Sequence, residues 1–545
     1  MGDFDQNKRF LIYPNSIVVF LSLFSEKEQE SLFSILNHHG FNTSDTGTYF
    51  KVPRFISMNG EKIDMAKVVG KNFGKYLPHE QRKIFVKSFS QEIDFDKIKK
   101  HAHSFAEFVE KNRGKIIKAL TMYETIKVAE DEIDRVLDLF YNLDENKSFF
   151  KRKINGFLAF LPRNQPFYAL SCFGLVISYM SEKTWIYIPA AMKSFFPFLM
   201  KELRMEDFFP NITISNERNW LIKECSNLIY NKESNLYLSS IDAVIFTGTP
   251  QNAKKVRALF EENVLFIGNG AGHNPVVVTE SADLNSAVEA VIELQLYNQG
   301  QDCANPASIL VQKNILNKFL KLLLKRIGKV KTGNYKDKGV MVGPMTKIED
   351  LEKAQKILTK NHEWIHPKTP GTLKVGTKIV EPTIILKPLN LGGNYTEQLS
   401  PIFFVQEYNS DEELKLYFEN NKYFENAMYV TVYGSSEYIN NLTSYRLLNN
   451  KIVHDKNTIL INTHLHKRGV ERGTQPYGGY GRGASWLSKD GNVTSKPTLP
   501  QRDIFERLIL PSIEEENIVA LNREIEKSLN MPKMFDYSEQ NDSII

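Results

Sequence analysis

Short apolar runs rich in β-branched residues alternate with helix-forming segments along the middle of the chain, and this alternation most constrains the fold. The runs at 243–247 and 309–312 have the length of buried strands, whereas 284–297 carries apolar residues at the three- and four-residue spacing of a helix. Strands joined by helices run parallel, because each helix carries the chain back to the starting edge of the sheet. Since the pattern occurs twice in succession, we predict an α/β fold with two doubly wound parallel-sheet domains.

The composition excludes several classes of protein. Over 545 residues, 42% are hydrophobic and 24% are charged, which is typical of globular proteins and excludes a disordered or collagenous chain. The 69 Lys and Arg residues exceed the 64 Asp and Glu residues by only five. That excess is too small for its length to indicate nucleic acid or an anionic membrane, so we expect neither as a partner.

The cysteines and the apolar segments indicate a cytoplasmic protein. Cys172, Cys225 and Cys303 are an odd and sparse set, which cannot form a disulfide framework and indicates a reducing compartment. The apolar run at 17–24 ends in Ser-Glu-Lys-Glu without a small-residue cleavage site, so we interpret it as a buried strand rather than a signal peptide. The apolar stretch at 166–180 is too short to span a bilayer.

Two loops carry residues that could take part in chemistry. Thr247, Gly248 and Thr249 lie between a predicted strand and a predicted helix, where free N–H groups and the helix dipole can hold a phosphate. An ordinary turn capped by Thr249 explains them equally well, because there is no three-glycine fingerprint. Cys303 lies in a polar loop where a nucleophile can reach a cleft, although a lone cysteine is commonly a small core residue. We assign Cys172 and Cys225 to the core.

Several motifs in matching order resemble those of the aldehyde dehydrogenase superfamily. Residues 267–311 contain Gly-Asn-Gly-Ala-Gly-His-Asn-Pro followed by Gln-Gly-Gln-Asp-Cys, which is similar to the core signature of that family. The resemblance covers roughly residues 75–490. The other matching pieces are Tyr123-Glu-Thr-Ile-Lys, Pro162-Arg-Asn164, Phe246-Thr-Gly-Thr, Glu381-Pro-Thr, Glu397-Gln-Leu-Ser-Pro401, Ile461-Asn462 and Pro476-Tyr-Gly-Gly-Tyr.

The resemblance implies a reaction and its residues. Cys303 would be the nucleophile that forms a thiohemiacetal and then a thioester with the substrate. Asn164 and the backbone N–H of Cys303 would form the oxyanion hole. The substrate would be a small aldehyde or an acyl thioester, oxidised or reduced with NAD or NADP. The implied cofactor positions are Thr247, Gly248, Thr249, Pro189, Lys193 and Glu397.

The adenosine side of the implied cofactor site departs from the family pattern. The family's Lys-Pro-Ser-Glu run is matched by Ile188-Pro-Ala-Ala191, which keeps only the proline. Loss of the glutamate would relieve repulsion of a 2′-phosphate, whereas loss of the lysine removes a favourable contact. Lys193 could reach the same area. The choice between NAD and NADP therefore stays open.

The acyl-releasing step departs from the pattern as well. Asn269 occupies the position of the glutamate that activates water in hydrolytic members, and a neutral amide cannot accept that proton. A second family glutamate after Gly-Arg is replaced by Gly483. Both losses resemble the CoA-acylating or acyl-reducing branch, with coenzyme A as a candidate co-substrate. The Gln-Gly-Gln-Asp-Cys run resembles the hydrolytic branch, so water and coenzyme A both stay open as acceptors.

Three histidines complete the candidate residues. His273 stands where the family has lysine, and a loop histidine is more often solvated than catalytic. His464 and His466 have the spacing of neighbours on one face of a strand. No third ligand accompanies them, so we predict no metal site.

The expected protein is thus an NAD(P)-dependent aldehyde dehydrogenase-like oxidoreductase. A catalytically impaired binding or scaffolding protein on the same fold is the alternative, because the lysine and glutamate positions are lost. The resemblance implies a homodimer or homotetramer with a small oligomerisation arm. The predicted regions are an N-terminal extension (1–60), a Rossmann-like cofactor domain with N-terminal helices (61–270), a catalytic domain (271–455), a return segment and oligomerisation region (456–490) and a C-terminal tail (491–545).

Overall fold

The computed structural model describes most of the chain. The described residues are 89–225, 228–231, 236–442, 447–448, 451–452, 454–455, 457–468, 472–514 and 516–517, together with the shorter segments 10–12, 16–20, 24–39, 41, 49–53, 55–58, 61–65 and 68.

The N-terminal extension has a small core of its own. Strands β1 (Phe10–Ile12), β2 (Ser16–Phe20) and β3 (Tyr49–Pro53) form an antiparallel sheet, and helix α1 (Glu26–His38) follows β2. A capping box between Ser25 and Glu28 begins the helix. Ile17 and Val19 of β2 are buried, which confirms a buried strand in this part of the apolar run, whereas 21–23 lie outside the described residues. Strands β4 (Phe55–Met58) and β5 (Glu61–Asp64) form a hairpin.

Helices precede and cover the first large sheet. An amphipathic pattern predicted helices within 101–120 and 125–140, and the structure has α2 (Phe95–Lys111), α3 (Arg113–Leu120) and α4 (Ile126–Tyr141). The apolar stretch at 166–180 forms α5 (Pro166–Leu170), which continues through a π-helical turn (Ser171–Leu175) into α6 (Val176–Ser178). Across the described ranges, no helix combines the length and apolar character needed to cross a bilayer.

The first large sheet is parallel in its centre. Its parallel strands lie in the order β8, β7, β6, β11, β12, and a C-terminal hairpin continues the sheet antiparallel to β12. The strands are β6 (Ile154–Phe160), β7 (Ser181–Tyr187), β8 (Ile212–Ser215), β11 (Ala243–Thr247), β12 (Leu265–Asn269), β25 (Ser485–Lys489) and β26 (Asn492–Ser495). Strands β9 (Leu228–Asn231) and β10 (Leu236–Ser239) pair as a separate hairpin. The helices here are α7 (Phe195–Glu202), α8 (Met205–Phe208), α9 (Arg218–Cys225) and α10 (Pro250–Arg257).

The second large sheet has six parallel strands in the order β19, β20, β14, β13, β21, β24. They are β13 (Asn274–Val278), β14 (Pro306–Gln312), β19 (Thr383–Leu386), β20 (Ile402–Tyr408), β21 (Val430–Tyr433) and β24 (Ile459–Ile461). Its helices are α11 (Leu284–Leu296), α12 (Leu316–Ile327), α13 (Ile348–Lys360), α14 (Asp411–Phe418), α15 (Asn421–Asn426) and α16 (Glu437–Leu442).

Short pairs of strands and two more helices complete the described elements. The strands are β15 (Lys331–Thr332), β16 (Val340–Val342), β17 (Leu373–Lys374), β18 (Ile379–Val380), β22 (Leu447–Leu448) and β23 (Lys451–Ile452). The helices are α17 (Leu465–Arg468) and α18 (Pro500–Ile504). The predicted fold class of two doubly wound parallel sheets is confirmed.

The order of the strands places a crevice at the carboxyl edge of the first sheet. The chain proceeds from β6 outward to β7 and β8, and then crosses to the other side of β6 to form β11 and β12. The loops after β6 and β11 therefore leave the sheet in opposite directions, and ligands of doubly wound folds bind at such a point. Only four residues separate the end of β12 from the start of β13, the first strand of the second sheet in chain order.

Two smaller expectations have definite outcomes. Cys172 and Cys225 are buried, which confirms that they belong to the core. The strand-face prediction for His464 and His466 was wrong, because His466 lies in helix α17 and its ring stacks on Tyr297 at 4.4 Å.

Within the described ranges, no three His, Cys, Asp or Glu side chains come together in a way that could hold a metal ion.

Candidate active site

Cys303 lies in a tightly held loop just before β14, at the amino edge of the second sheet. Asn274 at the start of β13 donates its amide hydrogens to the carbonyl oxygens of Cys303, at 2.8 Å, and of Asn305, at 3.1 Å. A Cβ on Gly272 would lie 2.0 Å from the Cys303 carbonyl oxygen, so only glycine permits this approach. Upstream, Asn298 and Gln299 both have positive φ angles, which is strain of the kind stored at functional sites.

The Cys303 thiol is half-buried and has two polar neighbours. Its Sγ lies 2.6 Å from the hydroxyl oxygen of Tyr477 and 3.6 Å from Oδ1 of Asp302. Tyr477 comes from the glycine-rich segment before β25, and its ring packs edge-to-face against Phe173 at 6.0 Å. The sulfur therefore contacts both the phenol of Tyr477 and the carboxyl group of Asp302.

Asn164 reaches the same loop from the first sheet. It lies in the loop after β6, and its Nδ2 donates to the carbonyl oxygen of Gln301 at 3.3 Å. The Gln301 side chain is itself fixed, because Asp350 accepts from its Nε2 at 3.0 Å and forms an ion pair with Arg163 at 2.6 Å. The Asp350 carboxylate thus binds both Arg163, next to Asn164, and Gln301, near Cys303. It therefore links the two loops.

A buried carboxyl group supports the Asn164 loop from below. Glu132 of α4 accepts hydrogen bonds from the backbone N–H groups of Phe167, at 2.9 Å, and Tyr168, at 2.8 Å. These groups belong to the first turn of α5, where a carboxyl oxygen satisfies free donors. Burial raises the pKa of Glu132, and the adjacent Glu124 has its pKa raised further by burial and by Glu132.

Asn269 ends β12 with its side chain fully buried. Its Oδ1 accepts a hydrogen bond from the Thr498 hydroxyl at 2.7 Å, and its Nδ2 has no hydrogen-bond partner among the described residues. The backbone of the next two residues is bound by the C-terminal segment, since Gly270 donates to Ala484 and Ala271 to Gly483. The residue that the family resemblance aligns with a glutamate is therefore a neutral amide bound to Thr498.

The predicted cofactor turn lies at the carboxyl end of β11. Thr249 is the N-cap of α10, with Pro250 in the first turn, and the Gly248 N–H donates to the Asn269 carbonyl oxygen at 2.9 Å. The Thr247 Oγ1 atom is buried and has no hydrogen-bond partner among the described residues. The turn thus combines a capped helix N-terminus with an unsatisfied hydroxyl, a donor set that suits a phosphate or ribose.

The three remaining predicted cofactor residues lie on other loops. Pro189 follows β7 at the same edge of the sheet, and Lys193 is exposed four residues later. Glu397 is half-buried and accepts a hydrogen bond from the Gly272 N–H at 2.7 Å. Burial, together with the nearby charge of Asp302, raises the pKa of Glu397 to about 7.

His273 is buried in an aromatic core, so the expectation of a solvated loop histidine was wrong. Its Nε2 lies 2.6 Å from the Tyr417 hydroxyl, and the rings of Tyr395, Tyr417 and Tyr423 surround it at 5.2 to 5.8 Å. Burial lowers the pKa of His273 to about 3, which leaves it neutral. It is therefore a structural residue beneath the Gly272 turn.

This burial predicts a loss of stability in mild acid. The folded-state pKa of His273 lies below the unfolded value of 6.5, so the unfolded state binds the extra proton as the pH falls below 6.5. At pH 5 this costs about 2 kcal/mol of unfolding free energy. In urea denaturation at pH 7.5 and pH 5, we expect the His273→Gln variant to lose about 2 kcal/mol less than the wild type. The exposed His362→Gln variant serves as the control, and equal losses in all three proteins would contradict the prediction.

Comparison with known proteins relates part of the chain to one family. Residues 236–486 match the model of the aldehyde dehydrogenase family. The structure resembles the glyceraldehyde-3-phosphate dehydrogenase GapN of Methanocaldococcus jannaschii complexed with NADP, with a TM-score of 0.57 and 16% identity over 84% of this chain and 96% of that one. It also resembles the aldehyde dehydrogenase KauB of Pseudomonas aeruginosa, with a TM-score of 0.56 and 16% identity over 75% and 82% of the two chains.

Residues 236–486, somewhat less than half of the chain, are thus similar to the aldehyde dehydrogenase family, and the fold is that of its solved members. Among sequence relatives in this superfamily, the lactaldehyde dehydrogenase of Methanocaldococcus jannaschii is 28% identical over 182 residues, which are 32% of this chain and 38% of that protein. The betaine aldehyde dehydrogenase of Cereibacter sphaeroides is 32% identical over 123 residues, 22% of this chain and 26% of that protein. The sequence matches thus span between a quarter and two-fifths of these relatives.

Within this superfamily fold, the structure brings together residues that motif matching had treated separately. Cys303, Asn164 and Glu397 all border the loop held by Gly272 and Gln301. Sequence reasoning missed the contacts of Asp302 and Tyr477 with the Cys303 sulfur. Both residues stood inside quoted motifs. Asp302 directly precedes Cys303, whereas Tyr477 lies 174 positions away, so no spacing rule could have paired Tyr477 with the sulfur.

Proposed function

We propose that this protein oxidises an aldehyde, or reduces an acyl thioester, with NAD or NADP through a covalent intermediate on Cys303. The observation that carries the proposal is the meeting of two loops from different sheets. One loop carries the half-buried Cys303 thiol. The other carries Asn164, whose side-chain amide donates a hydrogen bond to Gln301, two positions before Cys303. Aldehyde dehydrogenase relatives support the same reaction class.

The first step is nucleophilic attack by Cys303. Its thiolate adds to the substrate carbonyl carbon, and the carbonyl oxygen becomes an oxyanion. The Asn164 Nδ2 and the Cys303 backbone N–H donate hydrogen bonds to that oxygen. Each such donor contributes about 3 to 4 kcal/mol in a comparable site, because the dipoles are fixed before the charge develops.

The residues at the carboxyl edge of the first sheet fit a nicotinamide dinucleotide. The buried, unpartnered Thr247 hydroxyl and the N-terminus of α10 after Thr249 suit the phosphates, and Pro189 and Lys193 border the adenosine side. Glu397 suits a ribose hydroxyl beside the Cys303 loop. When bound, the nicotinamide supplies the hydride acceptor or donor. The NADP complex of the structurally similar GapN supports NADP, and both cofactors are included in the proposal.

The acyl group then leaves Cys303 for an acceptor. The buried Asn269 amide is bound to Thr498 and cannot take a proton from water. A thiol such as that of coenzyme A needs much less base assistance, because it is more acidic than water. We therefore propose coenzyme A as the acceptor, or as the carrier of the acyl group in the reductive direction.

The predicted regions and assembly are part of the same proposal. The cofactor domain comprises 61–270 and the catalytic domain 271–455, after the extension at 1–60 and before the return segment at 456–490 and the tail at 491–545. The active form is a homodimer or homotetramer. Its substrate is a small aldehyde or acyl thioester.

An activity screen tests the proposed function directly. The purified protein is incubated with NAD or NADP and with lactaldehyde, betaine aldehyde or glyceraldehyde 3-phosphate, with and without coenzyme A. We expect aldehyde-dependent formation of reduced cofactor, followed by its absorbance. Calorimetry measures cofactor binding separately. No binding at millimolar NAD or NADP, together with no turnover, would overturn the proposal in favour of a non-catalytic binding protein.

A further inference from the structure

The Cys303 sulfur is held between two groups that favour opposite protonation states. The hydroxyl oxygen of Tyr477 lies 2.6 Å from the sulfur, and Oδ1 of Asp302 lies 3.6 Å from it. A phenol can donate a hydrogen bond to a sulfur anion, whereas a carboxylate can only accept a hydrogen bond from the thiol. The two neighbours therefore act on the thiol in opposite directions.

Tyr477 is well placed to donate toward the sulfur. The side chain is 9% exposed, so water competes little for the contact, and the ring is packed against Phe173. Gly478 next to it is bound through its N–H to the Tyr429 hydroxyl at 3.0 Å, which fixes the backbone of the segment. A hydrogen bond to an anion is stronger than one to a neutral group, so this contact favours the thiolate.

Asp302 acts as the opposing group. It is 4% exposed, and its Oδ1 also accepts a hydrogen bond from the Ala304 N–H at 3.2 Å. The charged groups that face it are Arg135 and Asp131 of α4 and Glu397 from the loop before β20. When Asp302 is ionised, its negative charge near the sulfur disfavours a second negative charge there.

We propose that Tyr477 is a catalytic residue that stabilises the Cys303 thiolate by donating a hydrogen bond to it. Asp302 opposes this effect, because it accepts a hydrogen bond from the thiol form of the same sulfur. Ionisation breaks the Sγ–H bond, leaves the electron pair on sulfur and releases the proton to solvent, while Tyr477 keeps its own proton and donates a hydrogen bond. The inference rests on the proposed function in one respect, namely that Cys303 is the nucleophile. Tyr477 then activates the nucleophile of a site in which Asn269 cannot act as a general base.

Thiol alkylation at varied pH tests the proposal without aldehyde or cofactor. Cofactor-free protein is treated with iodoacetamide, and the rate at Cys303 is read by peptide mass spectrometry. We expect the Tyr477→Phe variant to shift the midpoint of the rate profile upward by about one pH unit, which slows alkylation about tenfold below the midpoint. The Asp302→Asn variant shifts the midpoint downward by a similar amount. Both variants keep the plateau rate at high pH, where the thiol is fully ionised.

The controls separate activation from packing. Tyr480→Phe removes a hydroxyl from the same segment, one that donates to Asp455 at 2.9 Å, and leaves the midpoint unchanged. Unchanged midpoints in the Tyr477 and Asp302 variants, shifts in the same direction, or a lower plateau with an unchanged midpoint would each overturn the proposal. A protein without dehydrogenase activity that shows the opposed shifts would refute the proposed function while supporting this inference.

Discussion

Replacing Cys303 by alanine lowers kcat/KM for the aldehyde by about 10⁴-fold or more, while the binding of NAD or NADP is retained. The variant lacks the atom that forms the covalent bond, and no change in binding can replace that chemistry. The Cys303 sulfur contributes little to the core, since the side chain is half-buried, so the variant is expected to fold. Steady-state kinetics and intact mass after incubation with aldehyde measure both effects.

A second cysteine provides the matched control for this prediction. Cys225 is fully buried beneath the first sheet, and burial raises the pKa of its thiol to about 12, so it is a poor nucleophile. The Cys225→Ala variant therefore keeps both activity and the covalent adduct. Activity that survives in Cys303→Ala, or an adduct that forms on Cys225, would show that the nucleophile lies elsewhere.

Adding coenzyme A raises the steady-state rate by about 10²- to 10⁴-fold over the rate with water alone. That range is the usual contribution of a positioned general base, which the hydrolytic route needs and Asn269 cannot provide. Without a thiol, the acyl group stays on Cys303 after the first turnover. Initial rates with and without coenzyme A, and the mass of the acylated protein, measure the effect.

The acyl adduct makes this experiment decisive. A burst of reduced cofactor equal to the enzyme concentration, followed by slow turnover, is expected in the absence of thiol. Cys303→Ala shows neither the burst nor the adduct. Turnover without thiol that equals turnover with thiol would contradict the prediction and would mean that another group, such as Glu397 with its pKa raised to about 7, activates water.

Much of the fold could be predicted, because the hydrophobic patterns of single segments indicate strands and helices. The runs at 243–247 and 284–297 correspond to β11 and α11 almost residue for residue, since buried strands and amphipathic helices leave distinct periodicities. The histidines could not be predicted in the same way. A polar loop sequence suggested a solvated His273, but the tyrosines that enclose it come from 122 to 150 residues further along the chain.

The sequence by itself determined the parallel α/β architecture, the family resemblance, the candidate nucleophile and the loss of the glutamate at Asn269. These are properties of single segments, which a periodicity or a motif can encode. Only the tertiary structure decided what surrounds the Cys303 sulfur and what the Asn269 side chain contacts. Tyr477 and Thr498 lie 174 and 229 positions from the residues they contact, so these contacts depend on the folded arrangement of distant segments and not on spacing along the chain.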